Sequence, residues 1–132
     1  MVRRLLEPAR LDRFALALLA LAALCVLIAG LQHARLYHRG YAEVEYIGVL
    51  FWLNAIGATG VILTLILQRA WLFVLGALAI CVPSLVSIAL SHSTGLLGFR
   101  EGGYDADALI IVVAEVAAVV FALLGAAKAV TR

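Results

Sequence analysis

Four long apolar segments alternate with polar ones along the chain. The segments cover residues 14–31, 47–67, 71–91 and 108–127, and none contains Lys, Arg or Asp. Each has about 18 to 21 residues, enough for an α-helix to cross a hydrocarbon core of ~30 Å. The helices of a soluble core need a polar face, and these segments have almost none. The pattern therefore predicts an all-α integral membrane protein, an antiparallel four-helix bundle that forms one transmembrane domain over residues 1–132.

The composition agrees with lipid as the solvent of this chain. Hydrophobic residues make up 66% and charged residues 14%, with a mean hydropathy of +1.13. Soluble domains are closer to half apolar and a quarter charged. The net charge of +2 is too small to indicate a nucleic-acid partner. We therefore expect the lipid bilayer to be the first partner of the protein.

The positions of Lys and Arg predict the orientation. The two longer loops, residues 32–46 and 92–107, carry only Arg35, Arg39 and Arg100. The other side has both termini and a short turn, with seven basic residues: Arg3, Arg4, Arg10, Arg13, Arg69, Lys128 and Arg132. Because cytoplasmic segments are enriched in Lys and Arg, we expect both termini in the cytoplasm and the long loops outside a bacterial cytoplasmic membrane.

The two long loops share a sequence pattern. Residues 39–45 read RGYAEVE and residues 100–107 read REGGYDAD, so each has Arg, Gly, Tyr and two acids before the next helix. Gly40, Gly102 and Gly103 permit turns with positive φ, and the acids suit helix amino termini. The pattern indicates two tandem helical hairpins, with chance similarity as the alternative.

The same loops supply candidate partner contacts. Arg and Tyr are enriched at protein interfaces, and Tyr also anchors chains at the membrane boundary. The candidates are Arg39, Tyr41, Arg100 and Tyr104.

A few polar residues inside the apolar segments fall at a similar depth. Cys25, Asn54, Ser84 and Glu115 lie six or seven residues from the predicted outer ends of their segments. This places them roughly 9 to 11 Å below the outer boundary. Small residues share their helix faces, as expected for faces that pack inward. One polar layer is therefore predicted to receive a residue from every helix.

Glu115 is the strongest single signal in the sequence, because an ionised carboxylate in hydrocarbon costs roughly 3 kcal/mol on insertion scales. One interpretation is a ligand or proton site formed by Glu115, Asn54 and Ser84. The other is a neutral Glu115 that is hydrogen-bonded to Asn54 or Ser84 and joins the helices. The sequence favours neither interpretation over the other.

Three histidines on the outer side raise the question of a metal. His33, His38 and His92 could supply imidazole to copper, zinc or haem. His33 and His38 are five residues apart, however, so one straight helix would not place them on the same face. Histidines at a membrane boundary are more often polar interface residues than metal ligands. We therefore expect no cofactor. HExxH, phosphate-loop and Ser-His-Asp patterns are missing, which disfavours a hydrolase.

Three parts of the sequence carry a family resemblance. They are GYAEVEYIGVLFWLNAIGA at 40–58, GLLGFREGGY at 95–104 and the segment with Glu115. Together they resemble the small, Ala- and Leu-rich four-span membrane proteins of high-GC actinobacteria, over residues 14–127. That group has no assigned activity, so the resemblance implies fold and membrane location only. The chain departs from small multidrug transporters, whose membrane glutamate lies in the first helix.

The sequence as a whole favours a non-enzymatic role. Small-residue faces suit helix association, and loops rich in Arg, Tyr and acids suit docking. We expect an accessory or assembly subunit of a larger cell-envelope membrane complex, in contact with other membrane subunits or with copies of itself. One alternative is a protein that handles a proton, quinone, lipid or ion at Glu115. A further alternative is a redox subunit with haem or copper at the outer histidines.

Overall fold

The computed structural model describes residues 11–130, which form four long helices and one short one. These are α1 (Arg13–His38), a 3-10 helix (Tyr41–Glu43), α2 (Ile47–Ile66), α3 (Ala70–His92) and α4 (Ala106–Val130). Each long helix is long and apolar enough to cross a membrane. The prediction of an all-α chain with four membrane-length helices is therefore confirmed.

The helix α1 differs most from its predicted bounds, since it continues to His38 instead of ending at residue 31. Residues 32–38 contain no Gly or Pro, and Arg35 and His38 occupy the last turn, where positive charge is favourable. Gly40 follows with φ 135°, a conformation that other residues avoid. The first long loop is thus 39–46, and the second, after α3, is 93–105.

Neighbouring helices in the sequence pack against each other, and α4 returns to α1. The helix α1 contacts α2 and α4 most extensively, and α3 contacts the same two helices. By contrast, α1 and α3 make only a few contacts. All four helices therefore enclose a common interior.

That interior is built mainly from small side chains. The buried residues of α1 recur at helical spacing: Ala15, Leu19, Ala22, Val26 and Ala29. A Cβ atom added at Gly30 would lie 2.6 Å from the Cβ of Ala58, so α1 and α2 are in backbone-level contact there. Large Leu, Ile and Val side chains are exposed on the opposite faces. This division is typical of helices that pack in lipid.

The two long loops have different conformations despite their shared pattern. Positive φ angles in the second loop occur at Gly95, Leu97 and Gly98, whereas Gly102 and Gly103, which would permit them, do not adopt them. Asp105 caps α4 by accepting from the Ala108 N–H at 2.8 Å, as expected of an acid at a helix start.

No side chain caps α2, which begins after Tyr46 at φ 62°. The first loop instead lies directly over the start of α2, since a Cβ at Gly48 would be 2.6 Å from the Tyr41 carbonyl oxygen. The acids of the first loop thus do not cap a helix as those of the second do. The tandem-hairpin interpretation stays a prediction.

Candidate functional site

A cavity of about 460 Å³ lies at the end of the helices that carries the two long loops, which we call the loop end. Side chains from all four helices and both loops line it. Its volume falls within the range of about 300 to 1,000 Å³ that is usual for small-molecule sites. A ligand site formed by Glu115, Asn54 and Ser84 was one of the two interpretations of the sequence, and the cavity is lined by Asn54 and Ser84 of these three.

The helix α3 provides the longest wall of the cavity, from Ile80 to His92. At 1.5 Å per residue this wall is ~18 Å long. Below it, α2 and α3 approach closely, because a Cβ at Gly57 would be 3.3 Å from Cγ2 of Ile80. Leu53 lines the cavity and is also 57% exposed on the lipid-facing surface. The cavity is therefore closed toward the middle of the helices and open sideways between α2 and α3.

Four polar side chains, one from each helix, gather at the inner end of the cavity: His33, Asn54, Ser84 and Glu115. We call them the polar cluster. The Asn54 side-chain amide donates to Glu115 Oε1 at 3.4 Å. The Ser84 hydroxyl lies 3.5 Å from Nε2 of His33 and close to the Glu115 carboxyl. The structure thus brings together the three residues that the sequence grouped.

The contribution of α1 to the polar cluster is His33, not Cys25 as the sequence predicted. The prediction counted depth from residue 31, whereas α1 ends at His38, so Cys25 lies deeper and near Cys81. Helical side chains tilt toward the amino end of their helix, which in α1 directs His33 inward from the loop end. The missed signal was the unbroken run of helix-forming residues after position 31.

The tautomer of His33 follows from its partners. The ring is 4% exposed, and its Nδ1 lies 2.8 Å from the Ala29 carbonyl oxygen, which can only accept a hydrogen bond. Nδ1 therefore carries a proton, and Nε2 lies 3.5 Å from the Ser84 hydroxyl, at the limit of a hydrogen bond. The ring also packs edge-on against Phe51 at 4.9 Å. The His33 ring thus lies at the cavity wall between Phe51 and Ser84.

Glu115 lies just behind the cavity and is 0% exposed. Its Oε1 accepts the bond from Asn54, which does line the cavity. Its Oε2 has no hydrogen-bond partner among residues 11–130. A buried oxygen without a partner costs about 1 to 3 kcal/mol, so stability alone does not explain a glutamate at this position.

Aromatic side chains cover the cavity from the two loops. The Tyr41 ring stacks on Phe51 with centroids 4.6 Å apart, and Phe99 approaches it edge-on at 6.0 Å. The Tyr41 hydroxyl donates to Glu101 Oε2 at 2.8 Å. Burial raises the pKa of Tyr41, and the hydrogen bond and charge of Glu101 raise it further. Tyr41, Phe99 and Glu101 thus form a roof across the cavity.

Charged side chains surround the outer rim of the cavity. They are Arg39, Glu101, Asp105 and Asp107. Asp107 Oδ1 accepts from the Gln32 side-chain amide at 2.6 Å and lies 3.6 Å from Arg35, which ties α4 to α1. Three carboxylates and one guanidinium give the rim an excess of negative charge.

The four predicted partner contacts divide into two groups. Arg39 and Tyr41 line the cavity, and of these two Arg39 is also exposed while Tyr41 is half-buried. Arg100 and Tyr104 are exposed, and the Tyr104 ring stacks on His92 with centroids 3.9 Å apart. Both arginines are therefore exposed, and the two loops differ in their tyrosines, since Tyr41 packs on Phe51 and Tyr104 lies outside.

The three histidines proposed as metal ligands lie in different surroundings. His33 belongs to the polar cluster, whereas His38 packs against Tyr37 and Trp52. The nitrogens of His92 lie 2.9 Å from the Ile88 carbonyl oxygen and 3.2 Å from that of Gly103. Within residues 11–130, no three His, Cys, Asp or Glu side chains are grouped so that they could hold a metal ion. The metal and haem alternatives at these histidines stay predictions.

The arrangement can bind a molecule that has both polar and apolar parts. Polar groups stand at the inner end and the rim of the cavity, with apolar and aromatic walls between them.

Comparisons of the chain with protein-family models, with curated proteins and with solved structures found no match.

Proposed function

We propose that this protein binds a small amphiphilic molecule in the cavity at its loop end. The main support for this proposal is the half-open cavity of about 460 Å³ between the helices, which has the polar cluster at its inner end and the aromatic roof above it. Binding pockets of this kind combine mostly apolar walls with a few polar groups that fix the orientation of the ligand. This supports the ligand-handling interpretation of Asn54 and Ser84, with Glu115 behind them.

The shape of the cavity suggests how such a ligand lies. Its lateral opening between α2 and α3 is bordered by Leu50, Leu53 and Pro83, which suit a hydrocarbon tail. Its rim and its polar cluster offer hydrogen-bonding and charged groups for a head group. A ligand that is dissolved in the bilayer can therefore enter sideways, without crossing the roof.

The membrane arrangement that goes with this function is an antiparallel four-helix bundle in a bacterial cytoplasmic membrane, with both termini cytoplasmic. The described residues carry three basic side chains at each end, so the orientation rests on Arg3, Arg4, Arg10 and Arg132, which lie outside residues 11–130. Reporter fusions test it: a carboxyl-terminal fluorescent protein should fold and fluoresce, whereas a carboxyl-terminal alkaline phosphatase should stay inactive. The reverse result would place the loop end in the cytoplasm.

The binding function is tested by filling the cavity. Ser87 lines it on α3, so Ser87→Trp should occupy the space near the lateral opening. Val86 is the neighbouring residue and is exposed on the lipid-facing surface, which makes Val86→Trp the matched control. Both proteins are purified in mild detergent, and the molecules that accompany them are extracted and identified by mass spectrometry.

We expect wild type and Val86→Trp to retain the same amphiphile at close to one molecule per chain. The Ser87→Trp protein should lose it while keeping the same helical content. If all three proteins carry the same molecules in the same amounts, the cavity is not a binding site.

A second candidate function is the accessory subunit, favoured by a groove of about 220 Å³ on the outer faces of α1 and α2. Gly30, Ala34, Ala55 and Thr59 line it beside Trp52, so a partner helix could approach closely. Co-purification tests it: a partner that is retained by wild type should be lost from Ala34→Leu. A protein that purifies alone from native membranes would contradict this role.

A further inference from the structure

The rim and the roof of the cavity combine carboxylates with aromatic rings. Glu101, Asp105 and Asp107 line the cavity together with Tyr41, Phe51 and Phe99. Arg39 is the one Lys or Arg in this lining, and the nearby Arg35 lies 3.6 Å from Asp107. The described lining therefore holds three carboxylates and one guanidinium, and of the carboxylates Asp107 has Arg35 as a close partner.

Carboxylates and aromatic faces attract the same class of head group. The negative face of an aromatic ring attracts ammonium groups, and quaternary ammonium ligands in particular are recognised by aromatic cages. Carboxylates favour the same cations and disfavour anions. In a partly enclosed cavity these charges are screened less than on an open surface.

We propose that the cavity selects an organic cation, an amphiphile with an ammonium head group at the rim and a hydrocarbon tail between α2 and α3. This inference rests on the proposed binding function and names the chemical class of its ligand. The head group would lie at the rim, beside the rings of Phe51 and Phe99 and the carboxylates of Glu101 and Asp105. Below the head group, the wall of ~18 Å along α3 has room for a tail of about ten carbons.

The test uses three photoactivatable probes with one decyl chain and different heads: trimethylammonium, hydroxyl or sulfonate. The protein is held in nanodiscs of phosphatidylcholine, whose zwitterionic head does not favour one probe by charge. Labelled residues are identified by mass spectrometry, and an excess of the unlabelled amphiphile shows whether labelling is saturable. We expect saturable labelling of α2 and α3 at the cavity, about tenfold stronger with the cation than with the alcohol and weakest with the sulfonate.

A pair of charge-matched variants separates the rim from the general surface charge. Glu101→Gln with Asp105→Asn removes two rim charges, while glutamine still accepts from Tyr41 and asparagine still caps α4. Glu43→Gln with Glu45→Gln removes two charges from the same end without touching the cavity lining. The first pair should lower cation labelling about tenfold and leave alcohol labelling unchanged. The second pair should change neither.

The remaining outcomes overturn the proposal in distinguishable ways. Saturable labelling of the cavity at equal strength by all three probes, or strongest by the alcohol or the sulfonate, refutes cation selection while the binding function stands. An equal loss of cation labelling in both variant pairs assigns the effect to surface potential and also refutes it. No saturable labelling of the cavity by any probe refutes the binding function together with its ligand class.

Discussion

The Tyr41 hydroxyl donates a hydrogen bond of 2.8 Å to Glu101 Oε2 and thereby joins the two long loops across the cavity. The two residues are 60 positions apart and belong to loops that follow different helices. Tyr41 is also held from below by the face of Phe51. This contact therefore fixes the roof to both halves of the chain.

Replacing Tyr41 by Phe should loosen the second loop without unfolding the helices. The ring keeps its contact with Phe51, but the hydrogen bond to Glu101 is lost, which costs about 1 to 2 kcal/mol for a charged acceptor. The amides of Leu96, Phe99 and Glu101 donate hydrogen bonds within and beside that loop. Their exchange with deuterium should accelerate about fivefold or more.

Tyr104→Phe is the control for this prediction, because Tyr104 is 50% exposed and its ring stacks on His92. It should leave the exchange of the same amides unchanged. Equal acceleration in both variants would mean that the Tyr41 hydroxyl does not hold the roof.

The roof should also weaken at alkaline pH. Burial, followed by the bond and charge of Glu101, raises the pKa of Tyr41 above its ordinary value of 10.0, so the folded state favours the neutral phenol. The stabilisation is complete below the ordinary pKa and is lost as pH rises through the higher pKa of the folded state. Subtracting the tyrosinate absorbance of Tyr41→Phe from that of wild type should give one ionisation above pH 10.

Glu101→Gln provides the internal check, since it keeps an acceptor for the hydroxyl but removes the negative charge. The difference ionisation should then move down toward the ordinary value. A wild-type difference curve centred near pH 10 would show that Tyr41 is not buried beneath the second loop.

Glu115 should contribute to stability through its volume more than through its polar bonds. It fills space where four helices meet, yet its bond to Asn54 is long at 3.4 Å and its other oxygen has no partner among the described residues. The free energy of unfolding of Glu115→Leu should therefore lie within about 1 kcal/mol of the wild-type value, whereas that of Glu115→Ala should be lower by about 2 to 3 kcal/mol. Thermal unfolding in detergent measures both.

A Leu variant as unstable as the Ala variant would contradict this, and would show that the carboxyl group itself holds the helices together. A stable Leu variant that no longer binds the native ligand would instead assign Glu115 to function. Asn54 is the residue through which Glu115 reaches the cavity lining.

The sequence predicted the helices and the polar cluster for a common physical reason. Lipid tolerates only long apolar helices, and it drives Asn54 and Glu115 to the inner faces because exposure to hydrocarbon is costly. Depth along each span then placed Asn54, Ser84 and Glu115 together. The error at Cys25 arose because hydropathy marks the end of the apolar segment and not the end of the helix, which runs on to His38.

The roof and the cavity could not be predicted in this way. Tyr41 and Tyr104 occupy equivalent places in the repeated loop pattern, but one contacts Glu101 inside and the other stacks on His92 outside. The positive φ angle next to Tyr41 is at Gly40, inside the shared pattern, whereas those of the second loop, at Gly95, Leu97 and Gly98, lie before the pattern. The volume of the cavity depends on how far α2 and α3 separate above Gly57, which no local pattern specifies.

Close packing of α1 and α2 makes a last prediction at glycine positions. A Cβ at Gly30 would lie 2.6 Å from Ala58 Cβ, which cannot rotate away, so Gly30→Ala forces the two helices apart. We expect it to lower the free energy of unfolding by about 1 to 3 kcal/mol. Gly60→Ala is the control, because a Cβ there meets nothing within 4 Å. Alanine has the higher helix propensity, so the control should be neutral or more stable by up to about 1 kcal/mol.

The stability of Gly125→Ala should lie between those of Gly30→Ala and Gly60→Ala. Its Cβ would lie 2.5 Å from Cδ2 and 2.8 Å from Cγ of Leu19, and a leucine can change rotamer about its Cα–Cβ bond where an alanine cannot. Thermal unfolding of the three proteins in the same detergent should therefore rank them as Gly60→Ala, Gly125→Ala and Gly30→Ala in order of decreasing stability. Equal stability of Gly30→Ala and Gly60→Ala would show that α1 and α2 are not in close contact at Gly30.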